Sequence, residues 1–114
     1  MKKIIMFYLH NCPHCKNAER MMSELIEKNP RYKNIEIEKI EESKNAKIAS
    51  TYDYYYVPTY YVNGEKIHEG VPTMEKIDNV FKKALVWKKH FTVWKNQKTI
   101  FHFYLNKLKK SLEF

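Results

Sequence analysis

Length, composition and charge limit what this chain can be. With 114 residues, 44% of them hydrophobic, it is long enough for one domain with a buried core and too short for two ordinary domains. This composition excludes a wholly disordered chain. The formal net charge of +8 is uneven, because residues 88–114 contain seven lysines and a single acidic residue. Most of the excess positive charge therefore lies in residues 88–114, and it says little about the substrate of residues 1–87.

The chain opens with two lysines and an apolar run at residues 4–9. Six residues are too few for the hydrophobic region of a signal peptide, and no segment reaches transmembrane length. We therefore expect a cytoplasmic protein whose thiols are kept reduced by that compartment. The apolar run itself predicts a buried β-strand.

A helix is predicted directly after this strand, followed by a second strand and a second helix. Pro13 suits the first helical turn, because that position needs no N–H donor, and Pro30 marks the end of the helix. The apolar residues between them recur at helical spacing: Ala18, Met21, Met22, Leu25 and Ile26. A strand is predicted over residues 35–40, where isoleucines alternate with charged residues. Ser43 is then expected to cap a second helix that ends near Tyr52.

The remaining predicted elements are a hairpin and a helix. Asn63 and Gly64 stand between two strand-like runs, which is the strongest short signal for a β-hairpin. Thr73 is expected to open a final helix with apolar residues on one face. The order strand–helix–strand–helix–strand–strand–helix predicts an α/β fold, a four-stranded mixed sheet flanked by helices. We assign this domain to residues 1–87.

The two cysteines, Cys12 and Cys15, stand at the predicted junction of strand and helix. A bridge between residues so close constrains the unfolded chain little, so the pair indicates chemistry rather than a structural disulfide. At a helix N-terminus, free N–H donors and the helix dipole favour a thiolate. Cys12, at the exposed turn, is expected to attack a substrate disulfide, and Cys15 to resolve the mixed disulfide. His14 would favour the Cys12 thiolate, and Pro13 completes the predicted catalytic segment.

Other interpretations of this segment stay open at this point. His14 can be an ordinary solvated side chain. A zinc site needs about four ligands, and only His10 and His14 stand near the two sulfurs, so we predict no resident metal. The only cofactor-like group that we expect is a redox-active disulfide between Cys12 and Cys15.

The chain resembles the thioredoxin superfamily over about residues 2–87. The resemblance is carried by two motifs and the turn that follows them: Cys12-Pro13-His14-Cys15, Val57-Pro58-Thr59 and Asn63-Gly64. It implies that Pro58 is a cis proline that faces the two sulfurs. It also implies that the backbone of Val57 pairs with an extended substrate peptide, with Tyr56 and Thr59 completing the substrate platform.

The sequence departs from the family pattern at several positions. Thioredoxins bury an acid six residues before the first cysteine, as a proton acceptor for the resolving thiol, and here that position is Met6. Tyr56 replaces a Thr of glutaredoxins, and Gly70 stands alone where those proteins have a glycine pair that holds glutathione. A glutathione-linked glutaredoxin activity is therefore an alternative. The motif at Cys12 also resembles that of periplasmic disulfide oxidants, whereas the predicted compartment favours reduction.

Residues 88–114 lie outside the resemblance and are predicted to form a basic, amphipathic helical extension. The helix is indicated by apolar residues at 4-3 spacing opposite lysines: Trp87, Phe91, Trp94, Phe101, Leu105, Leu108 and Leu112. A β-hairpin with strands at 91–94 and 99–103 is the alternative. We expect the apolar stripe to pack on its own domain or on a second copy, as a homodimer. A membrane surface or a partner groove is the alternative, and no nucleic acid is expected.

Together these features predict a thiol–disulfide oxidoreductase that reduces disulfides of proteins or small molecules. Its partners would be the disulfide substrate and a reductase or thiol that supplies electrons. The alternative from another class is a non-enzymatic module that uses the same fold to bind a partner protein or a metal.

Overall fold

A computed structural model describes the backbone of residues 1–96 and the side chains through Leu85. This part of the chain contains four strands and three α-helices, with a short 3₁₀ helix at Pro30–Asn34. In chain order the elements are β1 (Ile4–Tyr8), α1 (Pro13–Lys28), β2 (Ile37–Glu41), α2 (Ala46–Ala49), β3 (Thr59–Val62), β4 (Glu65–Glu69) and α3 (Met74–Asn96). No helix in residues 1–96 combines the length and apolar character needed to cross a bilayer.

The four strands form one mixed sheet, as predicted, and their order in the sheet is β2-β1-β3-β4. β1 pairs with β2 in parallel, whereas β3 is antiparallel to both β1 and β4. The turn between β3 and β4 is formed by Asn63 and Gly64, with φ values of 53° and 82°. Positive φ at both central residues is typical of the tight turn that this dipeptide favours, so the predicted hairpin is confirmed.

The main core lies between one face of the sheet and helices α1 and α3. β1 and β3 supply completely or almost completely buried side chains, and so does α3: Ile4, Met6, Tyr60, Val62, Ile77, Val80, Phe81 and Ala84. Each large apolar side chain removed from water in this way stabilises the fold by about 1.5–3 kcal/mol. This layer fixes α1 over the sheet and thereby sets the position of its first turn.

An aromatic cluster covers the other face of the sheet. Phe7 stacks on Tyr54 with ring centroids 4.9 Å apart, and Tyr52 meets Tyr61 edge-on at 4.9 Å. The hydroxyl of Tyr61 donates to the Asp53 carbonyl oxygen at 2.7 Å. These contacts hold the tyrosine-rich segment that leads into β3.

The ends of two helices follow the sequence signals. α1 begins at Pro13, and Asn29 ends it by donating its backbone N–H to the Leu25 carbonyl oxygen at 2.9 Å. At the start of α3, the Thr73 hydroxyl accepts the Lys76 N–H at 3.1 Å, so the predicted cap is confirmed.

The region between α1 and β3 differs from its prediction in three respects. Ile35 is not part of a strand, because it follows the 3₁₀ helix and its N–H bonds to the Tyr32 carbonyl oxygen. Ser43 does not cap α2, because its N–H and hydroxyl both donate to Glu41. α2 also ends at Ala49 rather than near Tyr52, since the Ser50 and Thr51 hydroxyls donate hydrogen bonds to carbonyl oxygens of its last turn.

The predicted C-terminal extension is described only in part. The backbone of α3 continues to Asn96, so residues 91–94, the first strand of the alternative hairpin, are helical. The second strand of that hairpin, at 99–103, and the apolar stripe of the extension lie outside the described side chains.

Candidate active site

Cys12 is the N-cap residue of α1. Its backbone is extended, with φ −90° and ψ 116°, and its Sγ accepts the backbone N–H of Cys15 at 3.2 Å. A sulfur atom therefore takes the capping position that a Ser or Asp oxygen commonly fills. The Cys12 sulfur therefore faces an N–H donor at the positive end of the α1 helix dipole.

Cys15 lies one turn into α1 and is inaccessible to solvent, with 2% of its surface exposed. Burial raises the pKa of its thiol to about 12, and the contact with Cys12 adds to this effect. Both cysteines are free thiols in this structure. The two sulfurs thus occupy different environments, one at the surface of the helix start and one inside the core.

His14 and Pro13 complete the first turn and are both exposed. Pro13 occupies the first helical position, as expected. His14 makes no side-chain hydrogen bond or ion pair to any part of the described chain. Its predicted influence on Cys12 therefore stays a prediction.

The segment before β3 meets Cys12 across the site. The peptide bond between Val57 and Pro58 is cis, as the resemblance implied, and the Cys12 Sγ lies 4.0 Å from the Val57 carbonyl oxygen. Tyr56 is largely exposed, at 69% of its surface, and Thr59 is completely buried. The Thr59 hydroxyl donates to the Tyr56 carbonyl oxygen, so Thr59 holds the segment from inside rather than facing a substrate.

Glu69, at the end of β4, holds the loop that contains Tyr56, a contact that the sequence did not indicate. Its Oε2 accepts the backbone N–H groups of Tyr55 and Tyr56, at 2.5 and 2.8 Å, and its Oε1 pairs with Lys66 at 2.7 Å. The Lys66 ammonium and these N–H groups lower the pKa of Glu69 to about 2. No local sequence pattern predicts this contact, because Glu69 lies 14 positions after Tyr55 and 13 positions after Tyr56.

A depression adjoins Cys12 on the side of β2. It has a volume of about 300 Å³ and is lined by Leu9, His10, Asn11, Cys12, Glu41 and Ser43. A second groove, of about 600 Å³, shares Leu9 and Ser43 with the first and reaches Tyr54 and Tyr55. The surface beside the Cys12 sulfur is therefore concave and leads to the exposed ring of Tyr55.

Two other features bear on the chemistry. Among the side chains that the structure describes, those of residues 1–85, no three His, Cys, Asp or Glu come together where they could hold a metal ion. Met6, at the position where the resemblance implies a buried acid, is a fully buried apolar side chain. Any base for the Cys15 thiol therefore comes from another element.

Comparisons with known proteins agree with this architecture. Residues 2–82 match the family model of the thioredoxin domain. A thioredoxin from Methanocaldococcus jannaschii is 35% identical over 83 residues, which are 73% of this chain and 95% of that protein. Mitochondrial thioredoxin 3 from Saccharomyces cerevisiae has a similar fold, with a TM-score of 0.57 and 21% identity over 72% of this chain and 77% of its own. A thioredoxin variant from Halobacterium salinarum also has a similar fold, with a TM-score of 0.55 and 23% identity over 73% of this chain and 74% of its own. The chain belongs to the thioredoxin family.

Proposed function

We propose that this protein reduces disulfides through a dithiol pair in which Cys12 is the nucleophile and Cys15 the resolving thiol. Membership of the thioredoxin family supports thiol–disulfide oxidoreduction in general. The observation that carries the finer proposal is the position of the Cys12 Sγ. It lies 3.2 Å from the Cys15 N–H at the start of α1 and 4.0 Å from the Val57 carbonyl oxygen.

The reaction proceeds in two exchanges. The Cys12 thiolate attacks one sulfur of the substrate disulfide, a new S–S bond forms, and the other substrate sulfur leaves as a thiolate. Cys15 then attacks the Cys12 sulfur, which closes the Cys12–Cys15 disulfide and releases the second substrate sulfur. The pair gives up two electrons in total, and an external reductase or thiol restores the dithiol.

The surroundings of Cys12 suit an extended peptide as substrate. A chain joined to the Cys12 sulfur passes the backbone of Val57, where main-chain hydrogen bonds bind it without regard to sequence. Tyr56 offers an exposed ring beside this path. In a compartment with a reducing thiol pool, such as the cytoplasm, the dithiol form predominates and the net direction is reduction.

Reduction of insulin by dithiothreitol tests the proposal. The wild-type protein is expected to shorten the lag before the released insulin B chain precipitates, and the Cys12→Ser variant to match the uncatalysed reaction. The Cys15→Ser variant should form a stable mixed disulfide with the substrate, because nothing remains to resolve it.

Two results would argue against this function. Equal turbidity curves for the wild type and Cys12→Ser would indicate a binding module without catalysis. Failure of Cys15→Ser to accumulate a mixed disulfide that mass spectrometry can detect would contradict the assigned order of attack.

A further inference from the structure

The second exchange needs a base, and the position that the family uses for it is apolar here. Cys15 must lose its proton when it attacks the mixed disulfide, yet its thiol is buried and its pKa is raised to about 12. Met6, fully buried in β1, offers no acceptor atom of sufficient basicity. This inference rests on the proposed function and concerns its second step alone.

Two groups near Cys15 are unsuited to the task. Tyr60, opposite Met6 on β3, is a buried phenol whose hydroxyl donates to the Met22 Sδ at 3.2 Å. Burial raises the pKa of Tyr60, so it retains its own proton. Cys12 is engaged in the mixed disulfide at this stage.

Glu19 is placed to serve Cys15 from the same helix. It lies four residues after Cys15, so the two side chains project from one face of α1 with Cβ atoms about 5–6 Å apart. The negative charge of Glu19 is also among the causes that raise the pKa of Cys15, after burial and the Cys12 contacts. The carboxylate and the thiol are thus electrostatically coupled.

Lys39 holds this carboxylate beside the sheet. Its ammonium pairs with Glu19 at 3.4 Å, and its residue stands opposite Met6 in the parallel register of β1 and β2. β1 has no acid at the position of Met6, and Lys39 of the neighbouring strand β2 instead pairs with an acid of α1, Glu19. Both side chains stay partly in water, with 40% of Glu19 and 45% of Lys39 exposed.

A groove gives this carboxylate a route to solvent. It has a volume of about 220 Å³, and its lining includes Glu19, Lys39 and Ser23. Such a space is ample for several water molecules, which can take up a proton from the Glu19 carboxylate. The proton can leave the site by the same opening.

We propose that Glu19 accepts the proton of Cys15 during the resolving step. As the Cys15 Sγ attacks the Cys12 Sγ, the new S–S bond forms and the bond between Cys12 and the substrate sulfur breaks. The electron pair departs on the substrate thiolate, and the Cys15 proton passes to the Glu19 carboxylate and from there to water in the groove. Because Glu19 is neutralised as Cys15 loses its proton, no second negative charge builds up on α1.

The two-step reaction of the reduced protein with 5,5′-dithiobis(2-nitrobenzoate) isolates this step. Attack by Cys12 releases one thionitrobenzoate, and attack by Cys15 on the mixed disulfide releases the second in a concentration-independent phase. In Glu19→Gln the first phase should keep its rate, whereas the second should slow about tenfold at pH 7. The slowed phase should rise steeply with pH, as hydroxide replaces the carboxylate, and Glu19→Asp should recover part of the rate.

Glu24→Gln is the matched control. Glu24 also lies on α1, is 43% exposed and pairs with a basic residue, Arg20, at 3.1 Å. It should leave both phases unchanged. An unaltered second phase in Glu19→Gln, an equal loss in Glu24→Gln, or parallel slowing of both phases would overturn the assignment to Glu19. Release of less than two thionitrobenzoates by the wild-type protein would instead contradict the proposed function itself.

Discussion

The different exposure of the two sulfurs should separate their reactions with alkylating agents. Because burial raises the pKa of the Cys15 thiol to about 12, this thiol is protonated at pH 8, and its sulfur is also shielded from the reagent. We therefore expect iodoacetamide to modify Cys12 in the reduced native protein and to leave Cys15 free. Tandem mass spectrometry of the peptide that contains both residues measures this directly. Both should react in guanidinium chloride, and equal labelling of the native protein would contradict the described burial.

The residues of the candidate site differ in how well the sequence alone predicts their positions. Cys12, Cys15 and Pro13 were predictable because their roles depend on local geometry, a helix start directly after a strand. Glu19 and Glu69 were not, because their partners come from other strands or from a loop more than ten residues away. A carboxylate of this kind looks like any solvated acid until the strands are paired.

At the level of elements, the Glu69 carboxylate is one of the groups that hold the loop before β3, because it accepts two of its backbone N–H groups. Glu69→Gln removes the ion pair with Lys66 and replaces the charged acceptor of two N–H groups by a neutral one, so we expect a loss of about 1 kcal/mol in the free energy of unfolding at pH 7. The pKa of Glu69 falls from 4.5 to about 2 on folding, so its contribution is complete above about pH 5 and is lost as the pH falls towards 2. Denaturant titrations at pH 7, 4 and 2.5, followed by circular dichroism, measure this dependence.

Glu65→Gln provides the comparison for this variant, because Glu65 is an exposed residue of the same strand. It should change stability by less than about 0.5 kcal/mol. A difference between the wild type and Glu69→Gln that keeps its size down to pH 2.5 would show that the carboxylate charge does not hold the loop.

The elements differ in how well the sequence determines them. The hairpin was predictable because Asn63 and Gly64 favour one turn type by themselves, and α1 because its apolar residues recur at helical spacing over more than two turns. α2 was predicted too long because a single helical turn depends on competition for side-chain hydrogen bonds. Glu41 binds the Ser43 hydroxyl that the sequence assigned to a cap, and this outcome depends on where β2 places the carboxylate.

For the molecule as a whole, helix α3 secures the sheet through its first half. Its buried side chains, within the part of the chain that the structure describes, are Ile77, Val80, Phe81 and Ala84. The Ala84 carbonyl oxygen also accepts the Lys2 N–H at 3.0 Å, just before β1. All of these contacts are made by residues that precede Trp87.

A chain that ends at Trp87 should consequently fold by itself. We expect it to unfold cooperatively on heating and to release two thionitrobenzoates from 5,5′-dithiobis(2-nitrobenzoate), because the described core and both cysteines precede the cut. Far-ultraviolet circular dichroism and the thionitrobenzoate count, each compared with the full chain, measure the two properties. A truncated chain that melts without a transition would place part of the stabilising core in residues 88–114, and the boundary at residue 87 would then be wrong. A cooperative fold that releases less than two thionitrobenzoates would instead mean that the extension is needed to keep both sulfurs reactive.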